Sequence, residues 1–186
     1  MLRSFRHFRG LSDPWDGLTD DTSVSVCSNG KALSFCFEVP DSTLVVSDGP
    51  TERSVDFYDR AEIFLSCDPK MARYYGFEID PTGKVMDYRN SFYRQFDYDW
   101  TGEVAAAGSV HPALAGARQA GYRVEASFDM DYLRSLGLLQ PDGTILMGLF
   151  RADAQTPEEI LWYTLRDPAT PEPDFHIPAT LFPYQL

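Results

Sequence analysis

The feature that most limits how this chain can fold is an alternation of apolar and polar residues with a period of two, repeated from end to end. Successive side chains of a β-strand point to opposite faces, so this pattern marks strands with one face toward a core. Leu33, Phe35, Phe37 and Val39 form one apolar set, with Ser34, Cys36 and Glu38 on the other face. Ala61, Ile63 and Leu65 alternate with Arg60, Glu62 and Phe64, and Tyr75, Phe77 and Ile79 alternate with Gly76, Glu78 and Asp80. Pro81, Thr82 and Gly83 then supply a turn, after which residues 84–88 return as the partner strand of a hairpin. Further on, Tyr122, Val124, Ala126 and Phe128 alternate with Arg123, Glu125 and Ser127. The stretch in which Ile145, Met147 and Leu149 alternate with Leu146, Gly148 and Phe150 is apolar on both sides, as a strand buried on both faces would be.

Helical signal is scarce. Residues 129–138 carry Met130, Leu133, Leu136 and Leu138 near a helical stripe, with Gly137 placed to end it. Residues 105–121 are rich in Ala and Gly and hold no sustained period, which predicts a loop with room for one brief strand. Many short strands, frequent Gly and Pro turns and at most one or two short helices predict an all-β fold. Its form is an antiparallel two-sheet β-sandwich, jelly-roll-like, in a single domain over residues 1–186. A chain of 186 residues is close to one ordinary domain in size.

Charge narrows the partners. The net charge of −12 and the isoelectric point near 4.5 leave no basic surface to neutralise phosphates, so nucleic acid and anionic membranes are excluded as partners. An acidic surface also favours a monomer or at most a weak dimer. The apolar runs fall short of the ~20 residues a membrane helix needs. The N-terminal residues lack the apolar segment of a secretory signal, which predicts a cytoplasmic protein, or an extracytoplasmic one if a leader has been removed. Cys27, Cys36 and Cys67 have no CxxC spacing and are expected as structural thiols.

Motifs for catalysis are missing. His7, His111 and His176 are the three histidines, none in a GxSxG-like setting and none in HExxH; only His176 stands in a distinctive string. With 28 acidic residues, a carboxylate pair at glycosidase separation can always be drawn, so abundance of acid identifies nothing. Asp13, Asp16, Asp20 and Asp21, or Asp97 and Asp99, offer hard oxygens without the spacing of an EF-hand loop and read as solvated turns. Sugar recognition needs an aromatic face for the C–H side of a pyranose and charged or amide groups for its hydroxyls. The aromatic share of 14% and the strand-borne Glu62, Glu78, Asp80, Arg123 and Arg151 provide both kinds of group. From pattern alone, a solvated sheet face with ordinary cross-strand ion pairs is the first reading of the same residues.

Ordered strings add a resemblance. Asp59-Arg60-Ala61-Glu62-Ile63-Phe64-Leu65 is followed by Tyr74-Tyr75-Gly76-Phe77-Glu78-Ile79-Asp80-Pro81-Thr82-Gly83, then Asp87-Tyr88-Arg89, then Tyr93-Arg94-Gln95-Phe96-Asp97 and Trp100. Gly121-Tyr122-Arg123-Val124-Glu125-Ala126, Gly148-Leu149-Phe150-Arg151-Ala152 and Pro173-Asp174-Phe175-His176-Ile177-Pro178 continue in order. Together they resemble family 9 carbohydrate-binding modules, the type found attached to xylanases, over residues 33–186. The resemblance implies a jelly-roll-like sandwich with a non-catalytic sugar site, no required cofactor and, in some relatives, bound structural calcium.

The resemblance further implies two aromatic rings that sandwich a sugar. The first falls on Phe57 or Tyr58, where relatives often carry Trp, and the second on Trp162 or Phe175; His176 adjoins the latter. Glu62, Glu78, Asp80 and Arg151 would then bond the sugar hydroxyls. Trp15 and Trp100 are assigned to packing. The chain end departs from the family by lacking its common Phe-Gly step. Two other functions compete: a hydrolase using a carboxylate pair among Glu62, Glu78 and Asp80, and an interaction sandwich with an eroded sugar site, which would present a filled, convex surface around Phe57, Glu62 and Arg151.

Overall fold

The computed structural model describes residues 4–46, 49–111, 120–156 and 158–186. Twelve strands among them are Ser4–Asp13 (β1), Leu18–Ser28 (β2), Ala32–Pro40 (β3), Arg60–Ser66 (β4), Tyr74–Ile79 (β5), Val85–Ser91 (β6), Gln95–Asp97 (β7), Ala105–His111 (β8), Gly121–Asp129 (β9), Thr144–Thr156 (β10), Glu159–Thr164 (β11) and Phe182–Gln185 (β12). One short helix, Met130–Ser135 (α1), and two 3₁₀ turns, Glu52–Phe57 and Pro178–Thr180, complete the regular structure. This is the all-β antiparallel sandwich that the alternation predicts.

Every ladder is antiparallel, and the strand order is β7-β6-β5-β4-β10-β11-β1-β2-β3-β9-β8, with β12 also on β10. The link between β11 and β1 is a single register pair, Ser12 with Thr164. On one side of that link lies a layer built on β4, β5, β6 and β10, and on the other a layer of β1, β2, β3, β9 and β8. The residues that alternate inward from both layers meet in one core, with Phe35, Phe37, Val124 and Phe128 facing Ile63, Tyr75, Phe77, Met147 and Leu149. Phe77 and Phe128 touch edge to face at 4.8 Å, an arrangement that the ring quadrupoles favour.

The two layers differ on their outer faces. The β2-β3-β9 layer presents small and polar residues outward, among them Ser34, Cys36, Glu38 and Arg123, as half-buried strands should. The other layer is covered again: Phe64, Tyr74, Tyr88, Phe150, Phe175 and Leu181 make a second apolar cluster on its outside. β10 is thus buried on both faces, as its sequence predicts, and all seven residues of β4 are buried as well.

Local signals place the remaining elements. Asp129 caps α1 by accepting from Asp131 N and Tyr132 N, and Gly137 follows the helix at φ +76°, a left-handed conformation that costs other residues more. The segment read as a loop with one brief strand contributes the seven-residue β8, while residues 112–119 lie outside the described residues. Trp15 donates its indole N–H to Thr170 O at 3.0 Å and sits beside Phe175, and Trp100 packs on Tyr75 and Phe77, so both serve packing. Cys27, Cys36 and Cys67 are free thiols. No helix among the described residues is long and apolar enough to cross a membrane.

The layers also touch at their far edge. Gly108 of β8 lies on the β5–β6 turn so closely that a Cβ there would collide with Pro81 O and Gly83 N; a Cβ on Gly83, itself at φ +90°, would lie 2.7 Å from Gly108 N. Only backbone fits between them. Gly108→Val should therefore lower unfolding free energy by about 1–3 kcal/mol in urea titrations, whereas Ser109→Val, on the exposed side of the same strand, should change it by less than about 0.5 kcal/mol.

Candidate functional site

Alternation on β4 puts Arg60, Glu62 and Phe64 on the side away from the main core. Phe64 is covered by the second apolar cluster, and the two charged residues lie beyond it, each 2% exposed. The β4–β5 register sets Glu62 directly opposite Glu78, which is 5% exposed. Two carboxylates facing across a ladder repel each other, so this pairing requires compensation.

Arg60 supplies it. Its Nε lies 2.9 Å from Glu62 Oε1 and 2.7 Å from Glu78 Oε2, short ion contacts in which neither oxygen lies along the N–H direction. Its Nη1 donates to Asp56 O at 2.9 Å and Tyr58 O at 3.1 Å, and its guanidinium stands 5.3 Å from the Trp162 ring centre. The Tyr88 hydroxyl donates to Glu78 Oε1 at 2.9 Å. Room for the Tyr88 ring comes from Gly76, its cross-strand partner, where a Cβ would overlap the ring.

One guanidinium cannot fully neutralise two buried carboxylates. Burial, reinforced by the charge of Glu78 and partly offset by Arg60, pushes Glu62 up to about 8, and burial raises Glu78 as well. Burial works against the charge on Arg60, yet Glu78 and Glu62 outweigh it and hold the arginine protonated. The pair therefore carries a shared proton near neutrality.

This charged group forms one wall of a cavity of about 370 Å³. Met86, Phe96, Tyr98 and Trp162 give it apolar surface, and Asp56, Arg94, Glu172 and Asp174 give it further charge. Phe175 and His176 close it from the C-terminal segment. His176 Nδ1 shares a 2.8 Å hydrogen bond with the Tyr74 hydroxyl, and burial, aided by Arg94 and Arg60, holds the imidazole down to about 3 and therefore neutral. Asp174 accepts from His176 N at 2.8 Å and from the Tyr93 hydroxyl, and lies 3.7 Å from Arg94.

Of the residues singled out in the sequence, Glu62, Glu78, Trp162, Phe175 and His176 come together at this cavity. Phe57 is 56% exposed at the end of its 3₁₀ turn and Tyr58 offers Arg60 its carbonyl; neither lines the cavity. Asp80 is buried in the β5–β6 turn, where Oδ1 accepts from Thr82 N, Thr82 Oγ1 and Lys84 N. Arg123 is a surface residue bridging Glu38 and Glu125.

Arg151 belongs elsewhere too. It lies 2.6 Å from Asp20, 3.1 Å from Asp41 and 3.1 Å from Asp153. Asp59 completes that group, with Oδ2 accepting from Val45 N and Oδ1 from Ala154 N, and burial pushes it up to about 7. Carboxylate oxygens of Asp41, Asp59 and Asp153 lie within 4.8 Å of one another, all three residues buried, a set of hard donors suited to a calcium-sized ion.

Asp56, Arg60, Met86, Arg94, Phe96, Tyr98, Glu172, Pro173 and Asp174 complete the cavity without having been singled out as site residues. Arg60 was legible in principle, since it shares the β4 face with Glu62 two residues away. Arg94, Phe96 and Asp174 stand inside the quoted strings but carry no chemical signature by themselves.

Fold and site together define an antiparallel β-sandwich with a lateral cavity walled by aromatic rings and buried ion pairs. No family model matches the sequence, and no curated protein matches it either. Among solved structures, that of a candidate carbohydrate-binding protein from Bacteroides uniformis is similar with a TM-score of 0.69, over 97% of this chain and 84% of that one, at 15% identity. At that identity the likeness establishes a shared fold.

The buried groups set the pH response of stability. The contribution of Glu62 is fully present below its ordinary value near 4.5 and is lost as pH rises through about 8, and Asp59 behaves alike up to about 7. That of His176 is present above its ordinary 6.5 and is lost as pH falls through about 3. Above 6.5 only the carboxylates still change, so the melting temperature should fall by a few degrees as pH rises to about 8.5, with a shallower fall in Glu62→Gln, measured by calorimetry in matched buffers.

Proposed function

We propose that this protein binds carbohydrate in the cavity beside Glu62 and does not cleave it. The observation that carries the reading is the juxtaposition, in one concave site, of aromatic surface from Trp162, Phe96 and Tyr98 with the paired charges of Arg60, Glu62 and Glu78. The rings offer a face to pyranose C–H groups, and the charged groups offer strong hydrogen bonds to hydroxyls. The shared fold with the candidate carbohydrate-binding protein supports the same reading, as does the resemblance to family 9 modules. On this reading Trp162 is one stacking ring and Phe96 or Tyr98 faces it, in the role that Phe57 or Tyr58 was expected to fill.

The placing of the two carboxylates supports binding without cleavage. A glycosidase sets its acid and its second carboxylate on either side of the scissile bond. Here Glu62 and Glu78 stand on one wall, on adjacent strands, and both are engaged by the same nitrogen of Arg60, which supports a binding role for them over a catalytic one. An eroded site is disfavoured by the cavity itself, since filling it is what erosion would require.

The test is a saccharide panel read by thermal shift, calorimetry and tryptophan emission. A binding sugar should raise the melting temperature through linkage, and Trp162→Ala should weaken it roughly tenfold or more. No response to any saccharide at millimolar concentration would sink the reading, and sustained product release from aryl glycosides would overturn its non-catalytic part.

A structural calcium ion, in the same reading, is held by Asp41, Asp59 and Asp153, away from the sugar. Millimolar calcium should then raise the melting temperature of the wild type but not of Asp59→Asn.

A further inference from the structure

Resting on the sugar-binding reading, the charge of the cavity says which sugar. Glu62 and Glu78 share Arg60 as their partner, and Asp56 reaches the same guanidinium only at 3.8 Å. Asp174 is balanced by Arg94 at 3.7 Å, and Glu172, exposed at the cavity edge, has no ion pair among the described residues. With one proton shared by Glu62 and Glu78, the five carboxylates of the lining carry four charges against the two guanidinium groups of Arg60 and Arg94, and the one imidazole, His176, is neutral. The surplus is negative within the site, on a chain whose net charge is −12.

The aromatic walls add no negative charge of their own. Each of the three rings already bears a cation, with Arg60 5.3 Å from the centre of Trp162, Arg94 5.6 Å from Phe96 and Arg53 3.6 Å from Tyr98, so the rings offer a sugar apolar surface and the surplus comes from the carboxylates alone.

We propose that the cavity selects an amine-bearing sugar, a 2-amino-2-deoxyhexose or its β-1,4-linked oligomer, over a neutral sugar of the same shape, and rejects uronates. The pyranose ring uses the aromatic surface, while the ammonium uses the carboxylates that Arg60 and Arg94 leave uncompensated. A uronate would place its own carboxylate against that surplus.

Three β-1,4-linked disaccharides that differ at C2 provide the test: glucosamine disaccharide, its N-acetylated form and cellobiose, compared by calorimetry near about pH 6, where the sugar amine is protonated. The amine form should bind at least about fivefold tighter than cellobiose at low ionic strength. The ratio should shrink at roughly 0.5 M salt and in Glu172→Gln, since it rests on unpaired charge. Glucuronate should give no binding. Cellobiose or the acetylated form binding as tightly as the amine would overturn the selectivity and leave sugar binding standing. If none of the three binds, the amine selectivity fails, and the sugar-binding reading is then decided by the wider saccharide panel. A simple quaternary ammonium such as choline, bound as tightly as the amine sugar, would show a cation site with no use for the ring and would overturn the proposal.

Discussion

Strand β4 is covered on both faces, and much of the molecule follows from that constraint. Seven consecutive buried residues cannot carry charge unless each charge is met locally. Ala61, Ile63 and Leu65 satisfy the inner face by packing. The outer face carries Arg60 and Glu62, and their burial draws in Glu78, Tyr88, the carbonyls of Asp56 and Tyr58, and the glycine that makes room for Tyr88. The cavity opens where this polar group meets the end of the aromatic cluster around Phe64. A site therefore arises from the way a doubly buried strand accommodates its charge.

The same solution appears on the opposite face of the layer. Arg151 on β10, the neighbour of β4, gathers Asp20, Asp41 and Asp153 on the side opposite Phe150. Removing either arginine would leave several buried carboxylates facing one another, which is far more costly than the modest gain a pair contributes when intact. The two groups differ in the cavities beside them. Arg60 stands at the one with several aromatic walls, whereas Arg151 lines a smaller one of about 210 Å³ and holds together the segments carrying Asp20 and Asp41.

Alternation made the fold legible because it is a local property: Leu33 to Val39, Tyr122 to Phe128 and Ile145 to Leu149 each record their own inside and outside. Strand β8 was harder to see. Its Ala-Gly composition carries little hydrophobic contrast, and its place as a strand depends on pairing with β9 and on contact with the β5–β6 turn. The site was legible only in part, for a similar reason. Glu62 and Glu78 announce themselves as acids on apolar strands, but their register as direct partners is a property of the sheet. Asp80 carries the same outward mark as Glu78 two residues earlier, yet the turn consumes it. Phe57 and Trp162 are both aromatic in the chain, and only the path of the 3₁₀ turn and β11 decides which of them reaches the cavity.

The single register pair between β11 and β1 has a thermal consequence. Within each layer, ladders of backbone hydrogen bonds join the strands. Between the layers a few polar links, Ser12 with Thr164, Arg151 with Asp20 and Asp41, and the Tyr184 hydroxyl donating to Val26 O, join the close glycine contact at the far edge, and the apolar core supplies the rest of the cohesion. Hydrophobic cohesion fades on cooling while hydrogen-bonded ladders do not fade in the same way. The seam between the layers is thus the part of this molecule most sensitive to cold and to pressure, and each layer should keep its internal strand order further into such conditions than the sandwich keeps its two halves together.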